Sequence, residues 1–223
     1  MKAIALYESN ALHKGAARLN NYPDARQYAP ATERNREPIL AVLREVLPPK
    51  GTILEVSSGS GEHAVFFAPR LAPRKWLPSD PNPIARASIA AWRQYCPAEN
   101  LYPPIALDVC DSSWAVEEEI SAIANINMIH IAPWAACLGL MAGARRILPL
   151  GGILYLYGPF KQGGKHTAPS NAAFDESLRV QNPQWGIRDL EEVVAVAQSE
   201  SFSLVKTVAM PANNLSVIFQ KNA

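Results

Sequence analysis

The sequence predicts an α/β protein of three layers, a mostly parallel seven-stranded sheet with helices on both faces and an antiparallel last strand. Two observations carry this. From residue 35 onward short apolar runs alternate with helix-period segments, which is the signature of βαβ units. Near the end, Phe202–Met210 and Leu215–Gln220 are strand-like runs separated only by Pro211-Ala212-Asn213-Asn214. Four residues cannot hold a crossover helix, so these two strands must be antiparallel neighbours.

The elements follow in order. Residues 1–34 are polar and turn-rich, with Asn20, Asn21, Pro23 and Pro30, and read as an arm ahead of a single domain over 35–223. Ile39, Leu40, Leu43, Val46 and Leu47 recur at helical spacing, with Pro38 placed in a first turn and Pro48-Pro49 as the stop. Thr52–Val56 suits a buried strand, followed by a helix over Glu62–Leu71 and a strand over Lys75–Pro78. Next come a helix over Ile84–Tyr95, a strand over Ile105–Val109 and a helix over Ser113–Ile123, which Asp111 or Ser112 could cap. Asn127–Ala132 reads as a strand, Ala135–Leu148 as a helix and Gly152–Tyr157 as an apolar strand. The polar excursion Lys161–Pro183 holds one helix around Phe174–Val180, and Asp189–Ser199 forms the last helix.

Composition narrows the function classes. The 223 residues carry 21 basic and 20 acidic side chains, so no global field draws the chain to nucleic acid or to a membrane. Cys96, Cys110 and Cys137 are far apart, odd in number and without a CxxC, which fits buried thiols in a reducing compartment. His13, His63, His130 and His166 are as scattered, so no metal site is expected. The start, MKAIALYESN, has too short an apolar run for a signal peptide, and no stretch is long enough to span a bilayer. A cytoplasmic location is the expectation.

The chemistry centres on ILEVSSGSGEHA, residues 53–64, a strand running into a glycine loop and a helix. Gly59 and Gly61 permit positive φ and remove the Cβ that would block a ligand. Gly59-x-Gly61-x-x-Ala64 satisfies a dinucleotide fingerprint, so a nicotinamide cofactor must be weighed. Glu55, four residues before Gly59, is foreign to that fingerprint.

Glu55-x-Ser57-x-Gly59-x-Gly61 resembles the acidic-x-Gly-x-Gly-x-Gly motif of class I S-adenosylmethionine-dependent methyltransferases, with Ser57 in place of the first glycine. The resemblance implies a Rossmann-like fold in which Glu55 anchors the cofactor and Ser57, Ser58, Gly59 and Gly61 lie against its methionine and ribose. It further implies that Asp80 meets the ribose hydroxyls, Asp108 the adenine amino group and the Val109 backbone the adenine ring. Asp80 does not separate the two cofactors, because dinucleotide folds also carry an acid at that distance. Glu55 and the closing hairpin do, since an antiparallel seventh strand marks the methyltransferase fold. More narrowly, RNREPIL (34–40), PSD (78–80), NMIHIAPW (127–134), YGPF (157–160), SNAAFDESLR (170–179), WGIRDLE (185–191) and PANN (211–214) resemble the methyltransferase-like 26 family.

Each candidate also has a plainer reading. Asp80 could initiate a turn, and Asp108 could cap a helix while Asp111 takes its place. His63 could shape a helix start. His130, expected on one strand face with Met128 and Ala132, is either a general base or a buried histidine bonded to backbone. Pro133-Trp134 is similar to part of the Asn-Pro-Pro-Tyr signature of amino-methylating enzymes, but Ile131 and Ala132 replace its first two residues. Asn35, Arg36, Pro133, Trp134 and Phe160 are candidates for an acceptor pocket, with Arg36 reaching a carboxylate of cofactor or substrate. Arg179, Arg188 and Asp189 are read as a structural ion-pair set.

Three functions follow. The leading one is methyl transfer from S-adenosylmethionine to a small molecule, by alignment of donor and acceptor. The others are a non-catalytic binding protein on the same fold and a nicotinamide-dependent oxidoreductase.

Overall fold

A computed structural model describes residues 24–222. Most of the predicted arm, residues 1–23, therefore lies outside the described residues.

The sheet is built from β1 (Thr52–Val56), β2 (Lys75–Ser79), β3 (Ile120–Ile126), β4 (Ile153–Gly158), β7 (Phe202–Met210) and β8 (Asn214–Lys221). A small hairpin, β5 (Lys161–Gln162) and β6 (Lys165–His166), stands apart. The strand order is β2-β1-β3-β4-β8-β7, with β2, β1, β3 and β4 parallel and β8 antiparallel to both of its neighbours. The last strand is therefore inserted antiparallel, as the short Pro211–Asn214 link requires. The central strands are buried on both faces, which explains why β1 is apolar except for Thr52 at its start and Glu55.

Helices α1 (Pro30–Val46) and α2 (Glu62–Arg70) cover one face, packing Ile39, Leu43 and Phe67 against Trp76, Tyr155 and Ile218. Helices α4 (Trp134–Ile147) and α6 (Leu190–Ser199) cover the other, where Cys137, Leu140 and Val193 meet Leu54, Ile123 and Leu156. Helix α3 (Pro83–Tyr95) lies beside α2, and α5 (Pro169–Gln181) fills the polar excursion. No helix among the described residues is long and apolar enough to cross a membrane.

Four expectations are corrected. The run Ile105–Val109 is not a strand, so the main sheet has six strands and not seven. Pro103 and Pro104 precede it and withhold two ladder N–H groups. Only Leu101 and Ile105 form isolated bridges to β2. Secondly, no helix spans Ser113–Ile123. Residues 113–119 are irregular, and the apolar stretch from Ile120 becomes β3 between β1 and β4. Thirdly, Asn127–Ala132 is not a strand: Asn127 turns the chain at φ 65° and Met128–His130 form one 3-10 turn. Finally, α1 begins at Pro30, so the expected boundary at Asn35 falls inside a helix and Pro38 lies in its interior.

The outer strand, β7, carries one irregularity. Leu204 pairs with Phe219 and Lys206 with Ile218, leaving Val205 as a bulged residue. The Lys206 ammonium then reaches Glu45 of α1 at 2.5 Å.

Candidate active site

The glycine loop stands at the carboxyl ends of β1 and β2. Ser57 (φ 56°), Gly59 (φ 56°) and Gly61 (φ 88°) all adopt the left-handed region, which reverses the chain within five residues. A Cβ on Gly59 would meet nothing within 4 Å, so the loop is open on that side. Gly61 is closed: a Cβ there would lie 2.8 Å from the Ile89 backbone of α3.

Ser58 fastens the loop to β2. Its N–H donates to the Ser79 carbonyl (2.8 Å), and its hydroxyl oxygen accepts from the Ser79 N–H (3.1 Å). Asp80, just past the end of β2, accepts from the Gly59 N–H at 3.0 Å and from the Asn82 N–H at 2.9 Å.

Glu55 is 2% exposed and points into the α1/α2 face, where it accepts from the indole N–H of Trp76 at 3.0 Å. Burial pushes its carboxyl up to about 7, against the Trp76 hydrogen bond; the nearby Asp80 charge adds to the rise. A carboxyl held in this state lacks a cationic partner.

The chain before α1 packs beside this loop. The Gln27 N–H donates to the Ser88 hydroxyl (2.8 Å), which in turn donates to the Ser60 carbonyl (2.6 Å). The Ala29 N–H donates to Glu62 at 2.5 Å. Residues 27–29 thus strap the start of α2 to α3.

Next to the loop, a cavity of about 440 Å³ opens between the first turns of α1 and α5, the ends of β3 and β4, and the hairpin turn. Arg34, Asn35, Asn127, Tyr157, Asn171 and Asn214 supply its polar wall. Asn35 joins loop and cavity: its Oδ1 is 2.8 Å from Nε2 of His63, and it lines the cavity together with Tyr157. His63 stacks on Phe67, and burial with the nearby Arg36 charge lowers its pKa to about 4. The hairpin turn is pinned to α5 by Asn171, which donates to the Asn213 carbonyl (3.0 Å).

The sequence-predicted residues are therefore partly assembled. Glu55, Ser57, Ser58, Gly59, Gly61 and Asp80 share one end of β1 and β2. Asp108 does not end a strand. It is exposed on a turn, where it accepts from the Cys110 N–H (2.9 Å), while Val109 is buried against Gly139 of α4. Of the five acceptor-pocket candidates, only Asn35 lines the cavity. The Arg36 guanidinium lies over the Phe66 ring at 4.7 Å. Pro133 is exposed, Trp134 opens α4 with Arg188 over its ring at 5.6 Å, and Phe160 is buried under His130.

His130 is likewise enclosed, with 0% of its surface exposed. Its Nδ1 accepts from the Arg188 N–H at 3.3 Å, and Nε2 has no hydrogen-bond partner. Burial and the Arg188 charge depress its pKa to about 3. The expected position on a strand face fails because residues 128–130 form a turn. The expected ion-pair set also divides: Arg179 pairs with Asp175 at 3.3 Å, Arg188 binds the Ile129, Ala132 and Gln184 carbonyls, and Asp189 caps α6.

The family model described as protein of unknown function DUF938 matches residues 26–221. The chain belongs to the DUF938 family. Among solved structures, this DUF938 chain is similar to human N-acetylserotonin methyltransferase in complex with SAM (S-adenosylmethionine; TM-score 0.72, 14% identity, 86% of this chain and 53% of that one). It is also similar to the S-adenosylmethionine-dependent methyltransferase SibL in its apo form (TM-score 0.70, 18% identity, 86% and 56%). A third is the O-methyltransferase family 2 protein from Planctomyces limnophilus in complex with apigenin (TM-score 0.67, 18% identity, 83% and 60%). The likeness shows a shared Rossmann-like methyltransferase fold, and the DUF938 chain spans little more than half the length of these proteins.

Sequence reasoning did not single out Tyr157, Asn127, Asn171 or Asn214 as cavity residues. The available signal was slight: Tyr157 lies at the end of an apolar strand, and Asn127 turns the chain after β3 with left-handed backbone, which this residue tolerates, whereas Asn171 in α5 and Asn214 at the start of β8 carry no such mark.

Proposed function

We propose that this DUF938 protein binds S-adenosylmethionine at the ends of β1 and β2 and transfers its methyl group to a small molecule held in the adjoining cavity. The observation that carries the reading is Glu55, a buried carboxylate beneath an open glycine loop. Two acids flanking that loop, Glu55 and Asp80, oppose a pyrophosphate and suit a ligand bearing an ammonium and hydroxyls. Glu55 and Ser57–Gly61 would hold the methionine end, Asp80 the ribose, and Asp108 and Val109 the adenine. When bound, the cofactor supplies a methyl carried on a sulfonium, which is already electrophilic.

The protein's part is then positioning and exclusion of water. Arg34, Asn35, Asn127 and Tyr157 face the acceptor, while His130 braces the wall behind them through Phe160 and Arg188. On this reading the chain from α1 onward is one cofactor-binding domain. Its likeness to the methyltransferase-like 26 family supports the narrower placement, and its three free cysteines fit the cytoplasm.

Calorimetry with S-adenosylhomocysteine and with NAD tests the reading. S-adenosylhomocysteine is expected to bind and NAD to give no heat; the reverse pattern would sink it in favour of an oxidoreductase. Binding without methyl consumption in the presence of cell extract would favour a non-catalytic role.

A further inference from the structure

The cavity has a one-sided chemistry. Arg34 is its only ionisable side chain besides the Tyr157 phenol, and no Asp, Glu, His, Lys or Cys is among the described residues that line it. Residues in the first turns of two helices, α1 with 17 residues and α5 with 13, reach its wall; both helices open on a proline, and Glu62 accepts the N–H of Ala29 just ahead of α1. The dipoles of the two helices add to the positive potential of Arg34 there.

Tyr157 contributes in the same sense. Asn35 Oδ1 can only accept, so Nε2 of His63 must donate to it, and this leaves the Asn35 amide NH2 as the group free to donate. Tyr157, 4% exposed, lines the cavity beside it, and its hydroxyl can donate to a bound anion. Arg34, Tyr157 and the Asn35 amide thus place a cation and donors on the α1 side of the wall, whereas Asn171 and Asn214 spend their NH2 groups on the hairpin turn and on Thr167.

We propose that the cavity binds an organic carboxylate through Arg34 and the Tyr157 hydroxyl, and that an oxygen of this carboxylate is the atom methylated. The proposal rests on the methyl-transfer reading above and names its substrate class. Arg matches the planar geometry of a carboxylate with two parallel N–H donors. The absence of a base among the described lining residues is then no defect, because a carboxylate has already lost its proton at neutral pH. One carboxylate oxygen gains the methyl, the electron pair of the broken C–S bond stays on sulfur, and the opposite charges cancel. The product is a methyl ester and no proton moves. His63 and His130, both neutral and outside the cavity, have no proton to take.

The test uses the full chain saturated with S-adenosylhomocysteine. Benzoate, cinnamate and octanoate are compared with their primary amides as ligands that raise the melting temperature. The acids are expected to bind at least tenfold more tightly than the amides, and Arg34→Gln to remove that preference. In the same variant, calorimetric affinity for S-adenosylhomocysteine should stay within twofold, which shows that the fold is intact.

In parallel, methyl-labelled cofactor is incubated with the protein and a low-mass filtrate of cell extract. Mild alkali then releases label as methanol from methyl esters but not from methyl ethers, amines or thioethers. Alkali-stable label, amides binding as well as acids, no binding by any acid, or an Arg34→Gln variant that behaves as wild type would each overturn the proposal. Failure of S-adenosylhomocysteine to bind the wild-type chain would instead overturn the methyl-transfer reading itself.

Discussion

The carboxylate of Asp80 holds the backbone N–H of Gly59 at 3.0 Å, so the acid at the end of β2 also fixes the shape of the loop after β1. One side chain thus organises the loop before any ligand arrives and, on the proposed reading, also meets the ribose.

Asp80→Ala should therefore weaken S-adenosylhomocysteine binding by about tenfold to a hundredfold, the equivalent of one lost charged hydrogen bond. Calorimetry against wild type measures this. An unchanged affinity would remove Asp80 from the cofactor site.

Glu55→Gln should stabilise the protein, increasingly so as pH rises. Above 4.5 the unfolded chain ionises this carboxyl, whereas the folded chain keeps its proton until about 7, so the wild type loses stability across that window. The variant should match wild type near pH 4 and gain on the order of 2–3 kcal/mol by pH 8. His63 and His130, held neutral, act oppositely and cost stability as pH falls below 6.5. The difference between the two urea-unfolding curves is therefore the quantity to follow. The same variant should bind S-adenosylhomocysteine more weakly, having lost its anion.

Gly158→Ala should cost about 1–3 kcal/mol by overpacking. The added methyl would lie 2.5 Å from Nε2 of His130. In a His130→Ala background the clash is gone, so the two substitutions should be strongly non-additive in a double-mutant cycle. Additive losses would mean that the two residues do not share this space.

Ser57→Gly should raise stability slightly. Ser57 adopts φ 56°, a conformation costing about 1–2 kcal/mol for a residue with a Cβ, of which glycine's greater unfolded-state entropy returns roughly half. The resemblance to a motif with glycine here agrees with that geometry. A fall in melting temperature of several degrees would show that the Ser57 side chain makes a contact worth more than the strain.

Periodicity and turn chemistry made the outer framework legible. The β1–glycine loop–α2 unit, β2, and the β7–β8 hairpin follow from local sequence, because Pro and Gly mark their ends and their apolar runs have only one use. The stretch from 105 to 132 misled because its identity is decided by neighbours. Ile120–Ile126 became the strand between β1 and β4 only through pairing with both, and the next apolar residues were left to form a turn. That shift also carried His130 from an expected strand face into the interior. On the cofactor side, Glu55, Asp80 and the loop glycines were readable as a spaced motif. The cavity was not, since Arg34, Asn127, Tyr157 and Asn171 come from four separate segments and no spacing connects them.

The bulge at Val205 and the Lys206–Glu45 pair have a consequence outside the site. A nine-residue outer strand with its free side toward solvent is a template on which another chain could add a strand, and Leu204 and Val205 are both exposed there. The extra residue breaks the even spacing that such an addition needs, and the lysine places a charge beside it. The protein thereby defends its solubility at the point where its sheet would otherwise be free to grow from molecule to molecule.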